Sequence, residues 1–350
     1  MKTALGFVHT LKLAGGVLPM LFASPCSDAG EAGSSSPEKP VVRSTVQEER
    51  SRYPHLRSTD HLGDLLNHPA FRGFSRLMLP WDGRTYDEAM PLKDIGQLLP
   101  YHTEVDPTVV VSSLNRMVDD VGAGRTVFYN IYTESQRQAE PALQDTGVFF
   151  VRGKPGAPFA IIAPGGGFSY VGSVHEGFPY AEAVSAQGFN AFVLKYRVGH
   201  GGRAATEDLV AAVAYIFQNA RSLQVDRAGY SLWGSSAGAR MAAAIGSYGT
   251  AHFGGPSYPK PSVVVMAYTG HSEVAASEPP TFVVVGDQDA ISPPAAMESR
   301  IVALRRAGTP VEYHRYPCVG HGFGTGRGTC AQGWIDRAIR FWKKEIEKTS

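Results

Sequence analysis

The chain has 350 residues, 33 Lys plus Arg against 32 Asp plus Glu, and 43% hydrophobic residues. That balance supplies a sizeable core and excludes a membrane bundle, a fibre, a coiled coil and a disulfide-dense mini-protein. A formal net charge of +1 gives no basis for a nucleic-acid or anionic-membrane partner, and three cysteines without a C-x-x-C or Cys/His pattern do not point to a zinc site.

Residues 1 to about 29 are expected to form an export signal. Lys2 gives a basic start, the apolar run Leu13–Ala23 is too short to span a bilayer, and Ser27 and Ala29 place small residues for cleavage after Ala29. Gly15, Gly16 and Pro19 interrupt that run, so a disordered cytosolic leader is the alternative. Ala23 and Pro25 before Cys26 argue against lipidation. Residues 30–52 are rich in Ser, Glu, Gly and Pro and read as a disordered linker. From 53 to 120 the chain carries Leu65, Leu66, Phe71, Phe74, Leu77, Met78 and Trp81 on short helical pieces, with a further helix at 107–119. This segment is expected to be a helical preface packed on the main domain, which occupies 121–350.

From there the pattern alternates strand and helix. Thr126–Thr133 and Gly147–Arg152 read as antiparallel strands. Pro158–Ala163, Ala191–Tyr196, Tyr230–Trp233, Ser262–Ala267, Thr281–Val285 and Val311–Tyr316 read as further strands, most of them compact apolar runs of the kind buried on both faces. Glu207–Asn219, Pro294–Ala307 and Ala331–Glu347 read as helices, each with an apolar face. The expected fold class is α/β: a mostly parallel central sheet with helices on both faces.

The strongest chemical signal is Gly234-Ser-Ser-Ala-Gly238, a G-x-S-x-G pattern where an apolar strand ends and an Ala-rich helix begins. A turn that sharp brings the residues two before and two after the serine together, so both must be small. It holds the Ser236 hydroxyl above the sheet, at a helix N-terminus that favours developing negative charge. Pro164-Gly-Gly-Gly-Phe168 follows the strand 158–163 and supplies side-chain-free backbone. The N–H groups of Gly166, Gly167 and Ala237 are assigned as an oxyanion hole. A phosphate loop is disfavoured, because G-G-G-F matches neither nucleotide-binding glycine pattern. Among 11 histidines, His321 stands out, flanked by glycines after the last strand. Asp289, after the strand ending at Val285, is preferred as the carboxylate orienting it. Asp287 is the alternative and reads better as a turn residue.

With Ser236, Asp289 and His321 in that chain order, the sequence resembles the α/β-hydrolase superfamily of serine esterases over about residues 125–347. Pro164-Gly-Gly-Gly-Phe-Ser-Tyr170, Glu176-Gly177, Val193-Leu-Lys-Tyr-Arg197 and Gly234–Gly238 are similar to the acetylesterase and acetylxylan-esterase-like branch. Pro164 stands where the hormone-sensitive-lipase-like pattern carries histidine, a departure that touches subfamily rather than mechanism. The resemblance implies hydrolysis of short-acyl esters, acetyl-like by expectation, of small molecules or acetylated carbohydrates, without cofactor or metal. Because the base must be a neutral imidazole, activity is expected to decline with falling pH. A prolyl-oligopeptidase-like peptidase and a non-catalytic binding protein on the same fold are the alternatives. No membrane span is expected, the sequence carries no signal for an oligomeric state, and the leader makes a secreted or periplasmic location the expectation.

Further residues carry structural expectations. Glu176 and Arg197 are read as an ion pair fixing the glycine loop. Arg240 is read as pairing with a carboxylate. His271 is read either as a pocket wall or as a plain loop residue. Cys318 and Cys330 flank the His321 loop and form a disulfide if the protein is exported.

Overall fold

The computed structural model describes residues 52–348. The expected signal peptide and all but the last residue of the expected linker lie outside the described residues. Among these residues, eight strands form one sheet: β1 (Phe128–Tyr129), β2 (Gly147–Val151), β3 (Pro158–Ala163), β4 (Asn190–Lys195), β5 (Asp226–Ser235), β6 (Val263–Ala267), β7 (Thr281–Gly286) and β8 (Val311–Tyr316). Their order is β1-β2-β4-β3-β5-β6-β7-β8. β2 runs antiparallel to both neighbours, and β4, β3 and β5 to β8 are parallel.

Among the described residues, eight α-helices accompany the strands: α1 (Leu62–Leu66), α2 (Pro107–Gly122), α3 (Glu134–Ala139), α4 (Phe178–Ala186), α5 (Gly201–Leu223), α6 (Ala237–Tyr248), α7 (Pro294–Arg306) and α8 (Trp334–Glu347). Local chemistry sets their ends. Asp106 caps α2 by accepting from the Thr108 N–H at 2.8 Å, and Pro107 occupies the first turn where no N–H is needed. α5 stops at Gln224, which adopts a left-handed conformation at φ 56°.

Side chains alternate across the sheet and feed two cores. On β3, Ala160 and Ile162 enter one cluster with Phe178 and Val184 of α4 and Trp334 and Trp342 of α8. Phe159, Ile161 and Ala163 enter the other, with Leu209 and Val213 of α5, Met241 of α6 and Ile301 of α7. This is the period-two pattern of a strand buried on both faces. Leu62, Leu65, Phe71, Met78, Leu114 and Met117, from residues 53–120, are fully buried in the first cluster beside Phe149 and Phe178. That stretch is therefore continuous with the core of the α4/α8 layer.

Two local expectations change. The strand expected at 126–133 shrinks to Phe128–Tyr129, because Thr133 accepts from the Gln136 N–H and starts α3, which takes the chain off the sheet. A helix that sequence periodicity did not show, α4, lies between β3 and β4. Phe178, Pro179, Tyr180, Ala181, Val184 and Ser185 are all buried, so it has no polar stripe to reveal it.

At the far edge, β8 is half-exposed and its charged side chains are paired. His314 and Glu312 meet at 2.7 Å, and Arg315 pairs with Asp287 and with Glu298. Cys318 and Cys330, at a sequence separation of 12, form a disulfide across the loop that follows β8. Both cysteines are exposed. Reduction, or Cys318→Ser with Cys330→Ser, is expected to lower stability by about 3 kcal/mol by loop-closure entropy. A urea midpoint unchanged by reductant would contradict that.

Candidate active site

The strand β5 ends at Ser235, and Ser236 turns the chain into α6 with φ 49° and ψ −115°. A positive φ in a residue with a Cβ costs about 1–3 kcal/mol and needs surrounding structure to impose it. Here Ala163 pairs with Gly234 on one side and Ser235 with Ala267 on the other, while the Ser236 N–H donates to the Ala267 carbonyl at 2.8 Å. A Cβ on Gly234 would lie 2.3 Å from the Gly238 carbonyl carbon, and one on Gly238 would lie 1.9 Å from the Ala163 carbonyl oxygen. The small residues of the G-x-S-x-G pattern are thus a steric requirement.

The structure brings Ser236, Asp289 and His321 together from the loops beyond β5, β7 and β8. His321 Nε2 lies 2.9 Å from Ser236 Oγ, and Nδ1 lies 2.8 Å from Asp289 Oδ2. Asp289 Oδ1 accepts from the N–H groups of Ile291 at 2.9 Å and Ser292 at 2.6 Å, which fixes the carboxylate. An ionised carboxylate accepts only, so Nδ1 carries the proton and Nε2 accepts from the serine hydroxyl. Asp287 is turned away onto Arg315.

Beside Ser236 runs the loop Gly165–Phe168. Gly166, Gly167 and Phe168 have φ of 131°, 62° and 60°. For Gly166 a Cβ would meet the Tyr170 carbonyl oxygen at 2.1 Å, so only glycine fits. Among the described residues no hydrogen bond uses the N–H of Gly166, Gly167 or Ala237. The last is the first residue of α6 and lacks an intrahelical acceptor.

A short π-helical turn, Ser173–Gly177, points His175 and Glu176 inward. Glu176 does not pair with Arg197. Its Oε2 accepts from the Gly165 N–H at 2.5 Å, and its Oε1 accepts from the Tyr268 hydroxyl at 2.7 Å and lies 2.9 Å from His102 Nε2. Burial opposes the Glu176 charge, but His102, His175 and the Tyr268 hydroxyl outweigh it and carry the carboxyl down to about 2. Arg197 instead reaches back to Asp208 on α5 at 2.9 Å and to Glu140 at 2.6 Å, and Tyr132 donates to Asp208 at 2.6 Å. Arg197 leaves β4 toward α5, so it holds the sheet to that helix. No local pattern exposes His102 as a partner of Glu176, because the two meet from separate segments.

His271 lines a cavity of about 450 Å³ with Phe168, Arg240, Tyr248 and Phe253. Arg240 makes no ion pair with a carboxylate among the described residues, contrary to expectation. Burial, with Arg300 and Arg240 nearby, pushes His271 down to about 4. Burial and His102 push His175 to about 4 as well.

Both histidines therefore fold neutral, while their unfolded forms take up a proton near 6.5. Their stabilisation is full above that value and is lost as pH falls toward about 4. The melting temperature is expected to fall across that window, and His271→Gln to flatten part of the slope. A melting temperature that rises on acidification from pH 7 would contradict this sign.

Among the described residues no group of three or more His, Cys, Asp or Glu is placed to hold a metal, and no helix is long and apolar enough to cross a membrane.

A sharp serine-bearing turn between a parallel strand and a helix, with His321 and Asp289 beyond later strand ends, defines an α/β-hydrolase fold, and the comparisons with known proteins agree. The BD-FAE family model matches residues 151–261, and the prolyl oligopeptidase family model matches residues 249–349. An acetylxylan esterase of Xylanibacter ruminicola is 22% identical over 229 residues, covering 57% of this chain and 48% of that protein. The chain thus spans about half the length of this curated relative. Among solved structures, an acetyl ester-xyloside bifunctional hydrolase from Caldicellulosiruptor lactoaceticus superposes with a TM-score of 0.55 at 20% identity, covering 62% of this chain and 95% of that one. The α/β-hydrolase MGS-M1 from a Medee basin deep-sea metagenome library gives 0.51 at 23% identity, covering 58% and 93%.

Proposed function

We propose that the protein is a serine carboxylic ester hydrolase that acts on short-acyl, acetyl-like esters, including acetylated sugars or polysaccharides. The observation that carries this reading is the hydrogen-bonded chain from Ser236 Oγ through His321 to Asp289, set beside unclaimed N–H groups of Gly166, Gly167 and Ala237. Ser236 Oγ attacks the ester carbonyl carbon as His321 Nε2 takes its proton. The carbonyl oxygen becomes an oxyanion held by the three N–H groups, each worth a few kcal/mol when pre-aimed. Asp289 keeps the imidazole in the accepting tautomer and stabilises its cation. Collapse expels the alcohol, which leaves with the proton from Nε2, and an acyl-serine remains. Water then attacks that acyl group, gives a proton to His321, and the acid departs as Ser236 recovers its proton.

The acetyl preference draws support from the likeness to an acetylxylan esterase. An exported location draws support from the leader pattern of residues 1–29 and from the disulfide. The prolyl oligopeptidase family match over 249–349 favours a second reading, an amide hydrolase. One panel separates them: matched ester and amide substrates, acyl chains from acetyl to hexanoyl, and acetylated xylo-oligosaccharide. Turnover is expected to be fastest on acetyl esters and at least about 10³-fold slower on the matched amide. Equal rates on ester and amide would overturn the esterase reading.

A further inference from the structure

The glycine loop rests on a fully buried carboxylate that the chemistry above does not touch. Glu176 is gripped by the Gly165 N–H, the Tyr268 hydroxyl and His102, and both members of the His102–Glu176 pair have almost no exposed side-chain surface. We propose that His102 and Glu176 form a positioning pair for the ester reaction, in which the imidazole supplied by residues 53–120 locks the carboxylate that aims the N–H groups of the Gly165–Gly167 loop. This inference rests on the reading of Ser236 as the nucleophile.

The loop is sandwiched between the carboxylate and the serine. A Cβ on Gly165 would lie 2.9 Å from Glu176 Oε2 and 2.9 Å from Ser236 Cβ. Both polar groups of Gly165 are spoken for: its N–H goes to Glu176, and its carbonyl accepts from the Gly172 N–H at 2.9 Å. Rotating that peptide would strip a donor from a buried carboxylate, which is costly. The orientation of the following N–H groups is set accordingly.

His102 reaches the loop by a second route. Its Nδ1 lies 2.9 Å from the Tyr170 hydroxyl, which also accepts from the Tyr101 N–H at 3.1 Å, and the Tyr170 N–H donates to the Gly166 carbonyl at 3.2 Å. The next residue, Thr103, ties down the other side of the site. Its N–H donates to the Gly322 carbonyl at 3.1 Å and its hydroxyl to the His321 carbonyl at 2.9 Å. A carboxylate this near a developing oxyanion opposes it unless donors face the carboxylate, and His102 and Tyr268 provide them. Tyr268 also sets its ring 5.3 Å from that of His321.

The test compares His102→Leu and His102→Gln with the parent on a short aryl acetate, with rates expressed per Ser236 site titrated by a fluorophosphonate. Leucine fills the space without a donor, and glutamine restores an N–H toward Glu176. His102→Leu is expected to lower kcat about 10²-fold, the effect of a misaimed oxyanion donor, with KM changed less than about threefold. His102→Gln is expected to recover at least about tenfold of that loss. A His102→Leu kcat within about threefold of the parent per titrated site, or no recovery in His102→Gln, overturns the proposal. Should His102→Leu fail to fold, Tyr268→Phe carries the test, since it removes one Glu176 donor and keeps the ring. Its kcat per site is expected to fall about tenfold, and an unchanged value overturns the proposal. A parent without Ser236-dependent ester hydrolysis removes the functional reading itself, whereas an active parent matched by His102→Leu removes only this inference.

Discussion

Ser236→Ala is expected to lower kcat on a short aryl ester by about 10⁶-fold while leaving the fold intact. The substitution deletes the one oxygen that His321 Nε2 faces and adds no atom, so strand pairing around the elbow is undisturbed. On the proposed reading, the residual rate over water comes from the N–H groups of Gly166, Gly167 and Ala237, which the substitution leaves in place. Asp289→Asn should cost about 10⁴-fold by a different route. An amide N–H facing Nδ1 flips the imidazole tautomer, so Nε2 carries the proton and can no longer accept one from the serine. Steady-state rates with circular dichroism on the same samples decide the matter. More than about 1% retained activity in folded Ser236→Ala would refute the nucleophile assignment.

Gly238→Ala should reverse the sign that helix propensity gives. In an ordinary helix interior this change stabilises by up to about 1 kcal/mol. At Gly238 the new Cβ would fall 1.9 Å from the Ala163 carbonyl oxygen, which sits at the end of β3 and is held by pairing to Gly234. Backbone on both sides has to give, and a loss of about 3 kcal/mol is expected. Gly246→Ala in the same helix provides the comparison. Its Cβ would meet the side chains of Val264 at 2.9 Å and Pro279 at 3.1 Å, and side chains yield more cheaply than a paired strand. Chemical denaturation of the two variants should rank Gly238→Ala as clearly the more damaging. A neutral or stabilised Gly238→Ala would mean that the elbow does not close as described.

Much of this was legible in the sequence because it is local. The G-x-S-x-G pattern carries its own sterics, and buried strands such as Thr281–Gly286 announce themselves as apolar runs. The histidine and carboxylate were readable because their positions after β8 and β7 follow from counting strands. What escaped lacks a local signature. The helix α4 is buried on nearly every side, so no periodicity marks it. His102 sits in a stretch whose apolar residues show only that it packs somewhere, and its contact with Glu176 is made entirely by the tertiary fold. Arg197 and Glu176 carried opposite charges at a suggestive spacing, yet β4 sends Arg197 toward Asp208 on α5 while the π-helical turn sends Glu176 beneath the glycine loop. Charge complementarity in a sequence does not say which side of a sheet each group leaves from.

The last strand has a consequence for how the molecule behaves among its own copies. An edge strand offers a row of free N–H and C=O groups on which another chain can template, and parallel sheets of this kind have no closure to prevent it. On β8 any such docking would have to strip water from Glu312, His314 and Arg315, which are already engaged in side-chain pairs. At the opposite edge β1 pairs through only Phe128 and Tyr129 before the chain turns away, too short a ledge to recruit a partner strand. Both edges thus carry features that discourage sheet growth, a guard against fibrous association that is useful to a protein with so apolar a sheet.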